Sequence, residues 1–281
     1  MIAVPKSELE SLLKKAQRKS VDGCLVESCI IEHDGKETLS ITSLVKDGVS
    51  SVGKFSLKVI CEHPQIWPVP SIDNLLKVLK YHGRTVKLTG QREWNSQIKV
   101  QSGSKTTTLT ASPQALAYPS SPYTLLEWHT KSTKIAEKIN LETMSYESAE
   151  GPIASAMAFH VDSTDLFEAF RCDGMNGKKT GKYKFIFDTD GFHIETGTEL
   201  KGLTKTTISE FVTTAAVVNS NGLSDRRTMY FEGGLEDLTK QIVGDVTLGF
   251  VQFRTRKGSA GEWGLIVKID DDFVFQTSVI E

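Results

Sequence analysis

Four cations share a spacing that suits one chemistry. Lys14, Lys77, Arg171 and Lys240 each follow, by five positions, the first apolar residue of a short amphipathic run: Leu9, Ile72, Leu166 and Leu235. Five positions turn a helix through about 140°, so each cation is expected on the face turned from the core. Lys15, Arg18 and Lys80 add charge to the same runs. Ammonium and guanidinium groups repeated in this way suit phosphate oxygens, whose neutralisation releases counterions and reads no base sequence. Lysine is ordinary on any solvated helix face. It is the repetition, and no single residue, that points to phosphate.

Nothing else in the sequence argues for catalysis. Gly174-Met175-Asn176-Gly177-Lys178-Lys179-Thr180 has the residue types of a phosphate loop, but its spacing is wrong and it follows a helical run rather than a strand. The reading preferred here is a flexible basic loop. G-x-S-x-G, H-E-x-x-H and G-x-G-x-x-G are missing, and the histidines at 33, 63, 82, 129, 160 and 193 are scattered. Asp270-Asp271-Asp272 lies between two strand-like runs and reads as a solvated turn. Cys24, Cys29, Cys61 and Cys172 form no C-x-x-C pair and read as reduced, mostly buried thiols. Cys24 and Cys29 are expected in one strand, on opposite faces, which is wrong for a shared metal. The expectation is a non-enzyme with no metal and no cofactor.

The elements that carry the cations are short helices set among strands. The first is expected at 7–19, with Ser7 as N-cap, Glu10 as its capping-box partner, and Leu9, Leu12, Leu13 and Ala16 inward. The others are expected at 71–81, 163–171 and 235–242. Between them lie β-rich runs cut by Asp-Gly pairs at 22–23, 34–35, 47–48, 173–174 and 190–191. The links are too short for crossovers, so the sheets should be antiparallel and the class α+β.

Two repeats organise these runs. Ile30–Gly35 with Thr38–Ile41 matches Phe185–Gly191 with His193–Thr196, each a strand, an Asp-Gly turn and a returning strand. Leu75–Leu88 with Trp94–Val100 matches Leu238–Leu248 with Trp263–Val267. The chain thus reads as a first domain at 1–112, a connector with its own short helix at 113–151, and a second domain at 152–281.

Composition sets the outer limits. With 39% hydrophobic residues, 24% charged residues and only 4 Cys in 281 residues, disordered, collagenous and disulfide-scaffold classes are excluded. The 33 basic and 35 acidic residues nearly cancel, so a positive surface must be local. No apolar run approaches 18 residues, and the start lacks the pattern of a signal peptide. A soluble, intracellular protein is expected, in the cytoplasm of a prokaryotic host or in a nucleus.

Two β-rich domains, each with two short helices bearing outward cations, resemble the DNA sliding clamp family of proliferating cell nuclear antigen and the T-even phage clamps. The resemblance covers nearly the whole chain as an architecture. It implies two similar clamp-type domains, helices on one face of each, and a homotrimer closed into a ring round double-stranded DNA. It also implies a tethered DNA polymerase, a separate clamp-loader ATPase and no membrane. Lys14, Lys77, Arg171 and Lys240 fall at the family's DNA-facing helix positions, with Lys15, Arg18 and Lys80 beside them. The implied subunit edges are the strands near Thr106–Ala111 and Lys182–Phe187. The implied partner-peptide pocket maps onto Leu44, Val45, Leu125, Leu126 and Val279. A connector longer than the family's, and a charge less acidic than that of cellular clamps, fit a phage or viral member. Two alternatives stand beside this reading: a monomeric or hetero-oligomeric viral processivity subunit, and a β-rich structural or virion protein that binds no DNA.

Overall fold

Short alternating runs closed by tight turns make antiparallel ladders within each unit among the described residues. The computed structural model describes residues 1–20, 23–24, 26–44, 51–89, 97–110, 133–148, 151–153, 155–175, 179–188, 191–198, 202–208, 211–216, 227–254 and 260–278. Its elements begin β1 (Ile2–Pro5), α1 (Lys6–Ala16), β2 (Lys19–Ser20), β3 (Gly23–Cys24), β4 (Cys29–Asp34), β5 (Thr38–Leu44), β6 (Ser51–Lys58) and β7 (Pro64–Val69). They continue with α2 (Ile72–Lys80), β8 (Thr85–Thr89), β9 (Gln97–Ser102), β10 (Lys105–Thr110), a helical turn α3 at 133–137, β11 (Ile139–Asn140), β12 (Ser145–Ser148) and β13 (Gly151–Ile153). The remainder is β14 (Ser155–Asp162), α4 (Ser163–Arg171), β15 (Lys182–Asp188), β16 (Gly191–Thr198), β17 (Gly202–Ile208), β18 (Phe211–Ala216), β19 (Arg227–Glu232), α5 (Leu235–Thr239), β20 (Asp245–Arg254), β21 (Ala260–Ile269) and β22 (Asp272–Thr277).

The chain divides into two compact units: Met1–Arg18 with Cys24–Ala136, and Lys19–Gly23 with Glu137–Glu281. The first holds a sheet of order β1-β8-β9-β10 and a sheet of order β7-β4-β5-β6. The second holds β14-β20-β21-β22, with β18 added beside β14, and β17-β16-β15-β19. These are the same two sheets built twice, with α1 and α2 in one unit matched by α4 and α5 in the other. Both repeats expected from the sequence are therefore present as β4–β5 with β15–β16, and as α2-β8-β9 with α5-β20-β21. Trp94 lies outside the described residues.

Side-chain volume fills the two cores differently. In the first unit Leu9, Leu13, Ile31, Ile41, Phe55 and Trp67 are wholly buried. In the second, Phe159, Phe185, Phe187, Phe192, Phe231 and Phe250 form one aromatic cluster, with Phe187 stacked on Phe192 at 4.8 Å. Rings at such distances add to the gain from apolar burial.

Part of the expected connector is built into the second unit. The strands β11, β12 and β13 form a small sheet whose β12 and β13 lie against β20. Tyr146 of β12 stacks on Phe275 at 5.5 Å and meets Phe253 edge-on at 5.1 Å. Gly264 makes room there, since a Cβ would come within 2.8 Å of Phe275 and 2.9 Å of Val251. Beneath this cover Ala158, Val251, Ile266 and Phe275 are buried. The matching face of the first unit is polar and open, with Lys87, Lys99, Thr106 and Thr108 exposed. Among the described residues no helix is long and apolar enough to cross a membrane.

Candidate nucleic-acid interface

Strand β1 runs straight into α1, and β14 into α4. The Lys6 N–H is bound by the Arg84 carbonyl at 2.8 Å, and the Ser163 N–H by the Gly244 carbonyl at 3.0 Å. This bond replaces the capping box expected at Ser7: the cap residue is Pro5, with no side-chain hydrogen bond. It also fixes which residues correspond. Val4 pairs with Val86 as Val161 pairs with Val246, so Lys6 matches Ser163, Leu9 matches Leu166, and Lys14 matches Arg171. Leu9 and Leu166 are wholly buried, and both cations are exposed.

The second helix pair aligns differently from the sequence count. Matching Arg84 to Gly244 sets Lys240 against Lys80, and Lys77 against Asp237. The count from the first apolar residue missed this because α5 lacks the opening turn of α2: the counterpart of Ile72 is Glu232, still in β19. Lys77, Lys80 and Lys240 are all exposed. Ser71 caps α2 by accepting the Asn74 N–H at 3.2 Å, and Asp162 caps α4 by accepting the Thr164 N–H at 2.6 Å. Gln17 Nε2 donates to Asp73 Oδ1 at 2.7 Å, tying the end of α1 to the start of α2. Arg171 pairs with Glu168 one turn back at 3.0 Å, both largely exposed. Water and salt screen such a pair, so its guanidinium stays open to exchange for phosphate.

Arg18 is a correction. Helix α1 stops at Ala16, and Gln17 is extended (φ −78°, ψ 123°), so the 100° projection ends before residue 18. Arg18 turns inward, is wholly buried, and donates from Nη1 to Ser51 Oγ at 2.6 Å. Burial pulls its pKa down to about 10. It cannot reach a phosphate from there. Lys15 is half-buried.

At the end of the 174–180 loop the Thr180 N–H is taken from within: buried Asp173 accepts it at 3.0 Å, and the following Gly181 N–H at 2.7 Å. Residues 176–178 of that loop lie outside the described residues. Asp270 and Asp271 form the tight turn between β21 and β22, with Asp270 at φ +53°. Cys24 and Cys29 sit in separate strands, and burial raises the Cys29 thiol well above its ordinary pKa. Among the described residues no set of three His, Cys, Asp or Glu is placed to hold a metal. Of the implied pocket, Leu44 ends β5 opposite Val52, while Val45, Leu125, Leu126 and Val279 lie outside the described residues.

One of the two implied subunit edges also needs correction. Strand β15, containing Lys182–Phe187, pairs with β16 on one side and β19 on the other, so it is interior. Within the first unit's four-stranded sheet β10 is an outer strand, and in the second unit's β17-β16-β15-β19 sheet β17 is one. Both are rich in threonine.

The turn from α2 to β8 carries a group of cations that helix periodicity did not find. Lys105 Nζ donates to the Tyr81 carbonyl at 3.3 Å, and Lys6 Nζ to the His82 carbonyl at 3.3 Å. His82 is buried between them, bonded to Ser102 Oγ at 3.0 Å and Thr107 Oγ1 at 2.9 Å. Burial, then the charges of Lys105 and Lys6, lower its pKa. Lys80 and Arg84 are exposed next to Tyr81 in the chain, and Tyr81 is itself 75% exposed. The signal available in sequence was the absence of acidic residues from 81–89 and 97–110.

The sequence matches no protein-family model and no curated protein. Its fold matches that of DNA polymerase sliding clamps over the whole chain. Against the sliding clamp of Pseudomonas aeruginosa the TM-score is 0.60 at 13% identity, covering 99% of this chain and 66% of that one. Against the β chain of DNA polymerase III from Streptococcus pneumoniae it is 0.62 at 10% identity, covering 100% and 64%. Against A. fulgidus PCNA, solved with the C-terminal region of FEN-1, it is 0.56 at 14% identity, covering 100% and 98%. The chain thus spans about two-thirds of the bacterial clamps' length and nearly all of the archaeal one's.

Proposed function

We propose that this chain is a sliding clamp for a DNA polymerase, closing as a homotrimer round double-stranded DNA. The observation that carries the reading is the paired placement of exposed cations, Lys14 with Arg171 and Lys80 with Lys240, at matching positions of a repeated clamp fold. Lys77 and Lys15 extend the same positive surface. Such contacts are individually weak and indifferent to sequence, which lets a protein move along the duplex. Retention then comes from ring closure, and a tethered polymerase gains effective concentration without new chemistry.

The match in length to the archaeal clamp supports two clamp domains per chain and therefore three chains per ring. Three chains of 31.0 kDa would give about 93 kDa. Head-to-tail pairing of β10 with β17 would join subunits and hide both outer strands. A clamp-loader ATPase would open the ring. Partner peptides would dock near Leu44, Val45, Leu125, Leu126 and Val279.

Light scattering over a concentration series tests the assembly, and loader-dependent retention on circular DNA tests the function. A species near three chains that stays on circular duplex and leaves on linearisation is the expected result. A monomer at every concentration, or a trimer that leaves circular and linear DNA alike, would overturn the reading.

A further inference from the structure

Because the fold is built twice, one unit serves as a control for the other. At the turn from α2 to β8 the first unit places Lys6, Tyr81, Arg84 and Lys105. The same positions in the second unit are Ser163, Gln241, Gly244 and Asp272, the last because Ile269 closes on Asp272 as Ser102 closes on Lys105. The second turn is acidic, with Asp245, Asp270 and Asp271 around it. The fold therefore closes this corner without a cation at any of these four positions, and only Lys240, the counterpart of Lys80, is kept. Lys6 and Lys105 do bind the two carbonyls that follow α2, those of His82 and Tyr81, which is a structural role. That role does not account for Arg84, which makes no ion pair among the described residues, nor for the exposed Tyr81.

We infer that this corner is a binding site for single-stranded DNA, with Arg84 and Lys105 on its phosphates and Tyr81 stacked on an unpaired base. An aromatic ring standing in water among cations is the arrangement that takes single strands without sequence preference. A duplex keeps its base faces covered and offers only phosphates and groove edges, so it leaves Tyr81 unused. The site rests on the clamp reading for its setting, where it would hold the unpaired strand at a primer end.

The test uses the full-length protein and fluorescein-labelled oligo(dT), followed by anisotropy from about 25 to 200 mM salt, with a duplex of equal length beside it. Tyr81→Ala should weaken oligo(dT) binding by about tenfold, while Tyr81→Phe, which keeps the ring, binds as the wild type does. Arg84→Glu and Lys105→Glu should each reduce the salt slope by about 0.7. Duplex binding should be indifferent to Tyr81→Ala. Wild-type protein that ignores oligo(dT), a Tyr81→Ala variant that binds it unchanged, or an equal loss on duplex would each overturn the inference. The assay needs neither a closed ring nor a loader. Its failure is therefore read separately from a failure of trimer mass or circular-DNA retention.

Discussion

Asp173 Oδ2 accepts the Gly181 N–H at 2.7 Å, closing the loop after α4 on a carboxylate from its own helix foot. The Thr180 N–H and hydroxyl complete the cradle at 3.0 Å. A buried acceptor with several donors is strong in place and costly to remove. Asp173→Ala should destabilise the chain by about 3 kcal/mol in denaturant unfolding. If Asp173→Ala instead unfolds at the wild-type midpoint, the loop is held by something else.

Charge reversals should separate the cations by position. Lys14→Glu with Arg171→Glu, and Lys80→Glu with Lys240→Glu, should each abolish most retention on circular DNA. Lys77→Glu alone should cost less, because its counterpart is Asp237 and the repeat does not demand a cation there. Circular dichroism should show all three folded, since every substituted residue is exposed. Retention that survives both double reversals would remove DNA contact from these helices.

Proline can tell the two sides of β10 apart. Backbone N–H groups alternate along a strand, so of Thr107 and Thr108 one donates toward β9 and the other toward the open side. One of Thr107→Pro and Thr108→Pro should destabilise the first unit, and the other should lower the solution mass from three chains to one without unfolding it. A trimer that persists in both variants would exclude β10 from the interface.

The pH dependence of the first unit should carry the mark of His82. Its pKa is lowered, first by burial and then by Lys105 and Lys6, so the native state holds the neutral ring. Just below pH ~6.5 the unfolded chain then binds more protons than the folded one. The stabilisation is present above that pH and is lost as pH falls through the lowered value. Lys105→Met should raise the His82 pKa in an NMR titration, and an unmoved titration would show that the ammonium does not act on the ring.

The sequence made the repeat legible because each hairpin announces itself locally, as at Asp34-Gly35, where Gly35 takes φ +79°. Helix faces were legible for the same reason: Leu9, Ile72, Leu166 and Leu235 all point inward. What failed depends on contacts distant in sequence. The start of α1 is set by the Arg84 carbonyl rather than by Ser7, and the fate of Arg18 is decided by where that helix ends. That Lys240 answers Lys80 needed the strand register, which no periodicity reveals. The small sheet at 139–153 was hidden because its strands have two to four residues and owe their place to Phe253 and Phe275.

That small sheet has a consequence for how the chain is made. Residues 139–153 leave the ribosome about 90 positions ahead of β20, the strand they come to rest on. At roughly 5–20 residues per second, Tyr146 waits about 6–26 s before both Phe253 and Phe275 exist to receive it. During that interval the segment has no surface of its own to fold against. The second unit must therefore finish from its C-terminal end, and a ribosome stalled before β20 would hold a nascent chain with its first unit able to close and its second still open.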